Sequence, residues 1–307
     1  MNNEYALPMI TVLIPTRNND IDLIDCVNSL LNLDYDFQKI SIIIWDNNSE
    51  QKIRERLKLF FTGLKNEKGV DISFIESTVN LGGFTSRAEL FDRIPSTSEY
   101  VLSLDDDVIL PENLLNDLLK HFNQGELVSI IGPRIVYDDA PYETAHGAGY
   151  VNRWFGLYRT KDVETPVECD YVIGCCMLIR REVIDEIGGF DRDYFTSHGE
   201  VDFCLRAKKK GFKVIYDPTI SVRHRVDRGG TRTLDRMYYV YRNKLLVIKK
   251  NFPVPQKWIA LIIHFLFWFP KAIIDSILIN RKINFGEISI IIKAMYDGWL
   301  NRFGKRI

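Results

Sequence analysis

The sequence has no cysteines at metal-ligand spacing, no Gly-x-Gly-x-x-Gly after its first apolar strand, and no internal repeat or low-complexity tract. Its five cysteines are odd in number, and Cys175-Cys176 are adjacent in an apolar run. That suits buried thiols and argues against both a zinc module and a disulfide framework. Without the glycine fingerprint, a dinucleotide-dependent oxidoreductase is not expected. The opening residues Met1-Asn2-Asn3-Glu4 have neither the basic start nor the apolar stretch of a signal peptide, so a reducing, cytoplasmic setting is the expectation. The most apolar run, Trp258 to Phe269, is interrupted only by His264 and is then broken by Pro270-Lys271 and Asp275. A spanning helix needs about 20 apolar residues, and this run is shorter.

Apolar material is nonetheless ample. Hydrophobic residues make up 46% of 307, enough for one large domain or one domain with an appendage. Charge is uneven: from Thr231 to the end, 14 Lys/Arg face 4 Asp/Glu, a local +10 that leaves −11 for the rest of a chain with net charge −1. An acidic body with a basic tail suggests chemistry in one part and attachment in the other. Within the tail, Ile288 to Ile292, Met295, Trp299 and Phe303 lie among Lys293, Arg302, Lys305 and Arg306. Apolar faces beside cations suit helices lying on an anionic membrane surface; packing on the body or on a partner subunit is the alternative. Cations interleaved with apolar runs do not make a nucleic-acid surface, and none is expected.

Short apolar runs alternate with helical patterns. Met9 to Ile14, Ile40 to Trp45, Ile72 to Ile75 and Tyr100 to Leu104 read as strands. Between them, Ile21, Ile24, Val27, Leu30 and Leu31 recur at helical spacing, as do Leu57, Phe60 and Phe61. Pro111 opens a further helix carrying Leu114, Leu115, Leu118, Leu119 and Phe122. Such alternation predicts an α/β fold with a mostly parallel sheet and helices on both faces. Ligands bind beyond the carboxyl ends of such strands, where Pro15 to Asn18, Asp46 to Ser49 and Asp105-Asp106-Asp107 stand. From about Gly132 to Pro218 the pattern is less regular. A long strand is expected over Tyr171 to Ile179, a helix through Val183, Ile184 and Ile187, and another from about Gly199 to Lys210. Val226 to Thr231 reads as a loop.

Three carboxylates in a row repel one another, and a divalent cation relieves that directly. Asp105 to Asp107 closes an apolar strand, which favours a metal over a merely solvated loop. Glu200 and Asp202 sit near a helix start, where the dipole accounts for one of them and leaves the other free to be a base or ligand. His224 follows a strand-like segment and precedes a glycine-rich loop, so ligation by its imidazole is credible.

The ordered set resembles family-2 glycosyltransferases with the GT-A fold, near the rhamnosyl- and galactofuranosyltransferase-like members. The landmarks are Pro15-Thr16-Arg17-Asn18, Asp46-Asn47-Asn48-Ser49, Asn80-Leu81-Gly82-Gly83 followed by Arg87, the aspartate triplet, Gly188-Gly189-Phe190-Asp191, the Glu200 to Arg206 run and His224. They cover roughly Met9 to Asn243.

The resemblance implies a catalytic domain over 1–230, with a nucleotide-sugar half to about 110 and an acceptor half beyond, followed by a helical region over 231–307. It implies a nucleoside pocket at Pro15, Thr16, Arg17 and Asp46, and contacts along the nucleotide from Asn80, Gly82, Gly83 and Arg87. Asp105 and Asp107, with His224, would hold Mn2+ or Mg2+ on the donor diphosphate, and Asp106 would lie nearer the ribose or sugar. Asp105 is thus counted on both nucleotide and metal. Glu200 falls where the family places its base, commonly an aspartate, with Asp202 as fallback; Arg242 would approach the diphosphate. Trp154 and Phe155, with Tyr150 and Tyr158, are expected to form an aromatic platform or simply core. The donor would be a UDP- or dTDP-sugar and the acceptor a saccharide or lipid-linked saccharide, at the inner face of the cell membrane. Two other readings use the same residues. The Asp105-Asp106-Asp107-Val108 segment also fits a haloacid-dehalogenase-like phosphatase, and a non-catalytic nucleotide-sugar-binding subunit would keep the fold without turnover.

Overall fold

A computed structural model describes residues 7–122, 128–225, 233–280 and 283–306. The expected loop over 226–231 lies outside the described residues. The chain opens β1 (Ile10–Thr16), α1 (Asp20–Leu31), β2 (Ile40–Asp46), α2 (Gln51–Lys68), β3 (Asp71–Glu76), α3 (Gly83–Phe91), β4 (Tyr100–Leu104), β5 (Val108–Ile109) and α4 (Leu114–Phe122). In β2 every residue is buried, and successive side chains serve opposite cores: Ile43 and Trp45 on one face, Ile40, Ile42 and Ile44 on the other. That two-sided burial is the mark of a parallel strand covered by helices on both faces. The α2 helix stops at Gly69, whose φ of +63° is the left-handed cap that glycine takes without penalty. The α4 helix starts at Leu114 rather than at Pro111, which instead accepts from the Leu114 N–H at 3.1 Å in the preceding turn.

The second half supplies β6 (Val128–Tyr137), β7 (Ala140–His146), β8 (Ala148–Asn152), β9 (Leu157–Lys161), β10 (Val167–Glu168), β11 (Cys176–Arg180), α5 (Arg181–Ile187), α6 (Gly199–Lys209) and β12 (Lys213–His224). Among the described residues the main sheet has ten strands, eight of them in the order β10-β12-β6-β11-β4-β1-β2-β3, with β5 on β12 and β7 on β6. The β3-β2-β1-β4 block is parallel, as is β6 with β12, while β11 runs antiparallel between β4 and β6. The strand expected over Tyr171 to Ile179 begins only at Cys176. The preceding residues turn past α6, where Gly174 lies so close to Glu200 that an added Cβ would stand 3.3 Å from the glutamate Cβ.

The C-terminal part comprises α7 (Leu234–Asn251), α8 (Val254–Ile263), a π-helical turn over His264–Trp268, α9 (Phe269–Asn280) and α10 (Phe285–Trp299). The expected break at Pro270 does not occur: Val254–Ile279 runs as one 26-residue helix, long and apolar enough to cross a membrane by length and composition. Proline removes one helical hydrogen bond and crowds the carbonyl four residues earlier, and the wider π turn lies just there. The helices divide their faces. Ala260, Leu261, Phe269, Ala272, Ile290, Ile291 and Ala294 join the core, whereas Leu266, Phe267, Leu278 and Ile279 are exposed. Buried Asp297 on α10 accepts from the Tyr238 hydroxyl of α7 at 2.7 Å, so α10 is an integral part of the body.

Candidate functional site

The carboxyl ends of β1, β2 and β4 open onto a cleft of about 550 Å³. Pro15, Thr16, Arg17, Asn80, Gly82 and Gly83 line it, together with Arg87, Asp105, Asp106, Glu200 and His224. Residues from five separate stretches of sequence thus share one cleft. Asp46 does not line the cleft. It is fully buried, with Oδ2 accepting from the Ser49 N–H at 3.2 Å and Oδ1 without a hydrogen-bond partner among the described residues. Its neighbour Asn47 reaches the cleft instead. Asn47 donates to Asn80 Oδ1 at 3.0 Å and accepts from the Leu81 N–H at 2.7 Å, while Asn80 Oδ1 also accepts from the Gly82 N–H at 2.9 Å. Gly82 has φ +81°, and a Cβ there would overlap the Phe195 carbonyl, so only glycine fits this approach.

The aspartate triplet splits three ways. Asp105 pairs with Arg87, whose buried guanidinium also donates to Ser103 Oγ, the Leu104 carbonyl and the Gly83 carbonyl, each at 3.3 Å. Those donors are spent on the protein, so Arg87 fixes Asp105. Asp106 accepts from the Thr16 hydroxyl at 2.6 Å, and burial pushes its carboxyl up to about 7 against that hydrogen bond. Asp107 lies 3.0 Å from His224 Nε2, and Asp105 lies 3.9 Å from the same nitrogen.

Backbone pairing brings these groups together, because β5 begins immediately after Asp107 and pairs antiparallel with the end of β12, setting His224 opposite Val108. Burial alone would lower the His224 imidazole. The neighbouring Cys175 sulfur, the bond to Asp107 and the charge of Asp105 outweigh it and raise it to about 11. One ligand atom from each of Asp105, Asp107 and His224 lies within 4.8 Å of the others. Two hard carboxylate oxygens and an imidazole fit Mn2+ or Mg2+, and a divalent cation would displace the imidazole proton and supply its charge.

Glu200, second residue of α6, enters the cleft near Arg87 and Asp105. Burial raises its carboxyl to about 7; its own backbone N–H and Arg87 oppose the rise and Asp105 adds to it. The turn before it is strained: Ser197 and His198 hold φ of +62° and +67°, a region non-glycine residues seldom take. Asn243 of α7 braces that turn, donating to the Thr196 and Ser197 carbonyls at 2.5 and 2.9 Å. Sequence reasoning chose the adjacent Arg242, yet Arg242 is 1% exposed, lines no part of the cleft and donates to the Gly304 carbonyl at 2.7 Å.

The structure does not bring Asp202 to the cleft. It is 0% exposed, and its oxygens accept from Arg206 at 2.7 Å, Asn251 at 2.6 Å and Tyr194 at 3.4 Å. The aromatic cluster also disperses. Trp154 and Phe155 project, half exposed, from the β8–β9 turn, whereas Tyr150 and Tyr158 pack against the core.

The sequence profile of Glycosyl transferase family 2 matches residues 11–188, and that of Glycosyl transferase family group 2 matches residues 100–284. The low-salt glycan biosynthesis hexosyltransferase Agl10 of Haloferax volcanii is 26% identical over 192 residues, 59% of this chain and 62% of the relative. The N-acetylglucosaminyl-diphospho-decaprenol L-rhamnosyltransferase of Mycobacterium tuberculosis is 36% identical over 75 residues, 24% of each chain. The chain therefore spans less than two thirds of either relative. Among solved structures, the mannosyltransferase PcManGT of Pyrobaculum calidifontis, in complex with GDP-Man and Mn2+, superposes with a TM-score of 0.60 at 13% identity. That superposition covers 96% of this chain and 88% of that one, and establishes a shared GT-A fold.

Proposed function

Because this chain belongs to glycosyl transferase family 2, we propose that it is an inverting, metal-dependent enzyme moving a hexosyl or deoxyhexosyl group from a nucleoside diphosphate sugar to an acceptor hydroxyl. The donor would carry UDP or dTDP. The acceptor would be a saccharide or a lipid-linked saccharide of a cell-surface polysaccharide or glycolipid. Residues 1–230 would carry the chemistry and 231–307 would hold the enzyme peripherally at the cytoplasmic face of the membrane.

The single observation that carries this reading is the opening of Glu200, Asp105 and His224 onto one cleft. When bound, a divalent cation on Asp105, Asp107 and His224 would offset the negative charge that grows on the departing diphosphate. Thr16, Arg17 and Asn80 would hold the nucleotide, with the Gly82–Gly83 backbone close against it. Glu200, raised to about 7, would take the acceptor proton as the acceptor oxygen attacks the anomeric carbon. One displacement without a covalent sugar-enzyme intermediate inverts that centre. Asp202 has no part in this scheme, because its carboxylate is already engaged within the body.

A phosphatase would need Asp105 as a free nucleophile, but Arg87 holds it. The deciding experiment is a screen of nucleotide sugars by nucleoside diphosphate release, with Mn2+, Mg2+ or chelator. Release stimulated by a divalent ion and abolished in Glu200→Gln supports the reading. Phosphate release, or donor binding without turnover in either form, sinks it.

A further inference from the structure

Away from the cleft, a cavity of about 230 Å³ opens between the β8–β9 turn, α7 and the long C-terminal helix. Leu157, Tyr241, Lys244, His264, Trp268 and Lys271 shape it. Among the described residues, no hydrogen bond or ion pair reaches the Lys244 ammonium, and burial lowers its pKa. The two histidines that feel its charge give it no counter-charge. Burial takes His198 down to about 3 and His264 to about 4, the charge of Lys244 adding to both, so both rings are neutral. The carboxylate lining the cavity, Asp275, is held by Lys271 at 2.6 Å. A desolvated cation without a partner is costly, and an anion entering the cavity would offset that cost.

The same helix that floors the cavity turns its apolar face outward, with Leu266 and Phe267 63% and 64% exposed. Trp268, on the cavity wall, donates to the Phe155 carbonyl at 3.2 Å and so docks the aromatic β8–β9 turn beside that face. Aromatic residues next to an apolar face and a cation are the arrangement of a membrane interface. We propose that this cavity receives the phosphate of a membrane lipid, with Lys244 as its counter-ion and the Leu266–Phe267 face lying along the lipid chains. The proposal rests on the membrane reading above and is independent of the sugar-transfer chemistry. A lipid phosphate here would sit one residue along α7 from Asn243, which braces the cleft turn.

Flotation of the whole protein with phosphatidylcholine vesicles, with and without phosphatidylglycerol, tests it. Wild type floats with the anionic vesicles. Lys244→Met loses about tenfold or more in vesicle affinity, beyond the roughly fivefold expected for one ordinary surface lysine, for which Lys257→Met is the reference. Lys244→Arg keeps most of the affinity, and Leu266→Glu with Phe267→Glu abolishes flotation. Melting no lower than that of wild type and unchanged donor turnover in Lys244→Met establish that the fold and the cleft are intact. A loss no greater than that of Lys257→Met overturns the cavity assignment. So does inorganic phosphate that displaces the vesicles when chloride of equal ionic strength does not, because the ligand is then a soluble anion. Failure of wild type to float overturns the membrane reading together with it.

Discussion

His224 Nε2 lies 3.0 Å from Asp107 Oδ1, although 117 residues separate them in sequence. The contact exists because the two-residue β5 strand starts where the aspartate triplet ends and pairs with the last residues of β12. An imidazole and two carboxylates are thereby held in one place by backbone hydrogen bonds, so a cation would meet a largely preformed site. Replacing His224 by alanine leaves the carboxylates and removes the nitrogen. Nucleoside diphosphate release at saturating Mn2+ should fall about 10²–10³-fold, the scale seen when one charge-stabilising group is lost. A titration of rate against Mn2+ checks this; an unchanged titration in His224→Ala would remove the imidazole from the site.

Glu200 makes two opposite demands on pH. As a base it must be ionised, so turnover should rise with pH and level off above about 7. As a buried carboxyl whose folded pKa is raised, it adds stability in its protonated form; that contribution is complete below the unfolded value near 4.5 and is lost as pH rises through about 7. Glu200→Gln should therefore lose about 10²–10⁴-fold in turnover while melting higher than wild type at pH 8 and no differently at pH 4. A pH–rate curve with Mn2+ and a pH–melting curve on the metal-free protein separate the two effects. A variant that melts lower than wild type at pH 8 would mean that Glu200 is held as a carboxylate by the fold.

Asp202, also on α6, belongs to stability. Its 0% exposure and its bonds to Arg206, Asn251 and Tyr194 tie α6 to α7 and to the turn before it. Asp202→Asn leaves Arg206 without its carboxylate and should cost about 3 kcal/mol, read as a drop in melting temperature. Well below that temperature the variant should still bind donor and release nucleoside diphosphate at close to the wild-type rate. Wild-type melting combined with lost turnover would return Asp202 to the chemistry.

The first half of the fold was legible because β1, β2 and β4 are apolar runs ending in polar clusters, the pattern a covered parallel strand imposes. The second half was not. The ten-residue β6 contains Gly132-Pro133, and β12 contains Pro218 at an irregularity in its register, so both read as broken. The acidic triplet and His224 could be placed at strand ends without coordinates. The bracing contacts of Asn47 and Asn243 could not, because an amide that braces a loop gives no signal apart from the groups it meets. Arg242 and Asp202 stand out by charge, yet both are buried and bonded within the protein: charge is visible in a sequence, but burial is not. At the C-terminus, apolar content was plain, whereas the division into a buried face on α7 and an exposed face needed the packing itself.

The residue after His224 is placed to govern how firmly the candidate cation site would be held. The Arg225 N–H donates to the Asp107 carbonyl at 3.0 Å, and its guanidinium reaches Asp22 and Asp25 of α1 at 2.7 Å each and Asp138 at 3.1 Å. Asp138 in turn donates its backbone N–H to the His224 carbonyl at 3.1 Å. One side chain thus joins the ends of β6 and β12 to α1, next to two of the three candidate ligand residues. These pairs are part exposed and add little to global stability. Their effect should be on the alignment of Asp107 with His224. Arg225→Gln is expected to raise the Mn2+ concentration for half-maximal turnover about 10–100-fold, the cost of losing an outer support of a metal ligand, with the rate recovered at saturating Mn2+. Arg225→Lys, which keeps one charge but not the fork, should fall between. If the maximal rate drops and the Mn2+ requirement does not move, Arg225 acts on the bound substrate and not through His224.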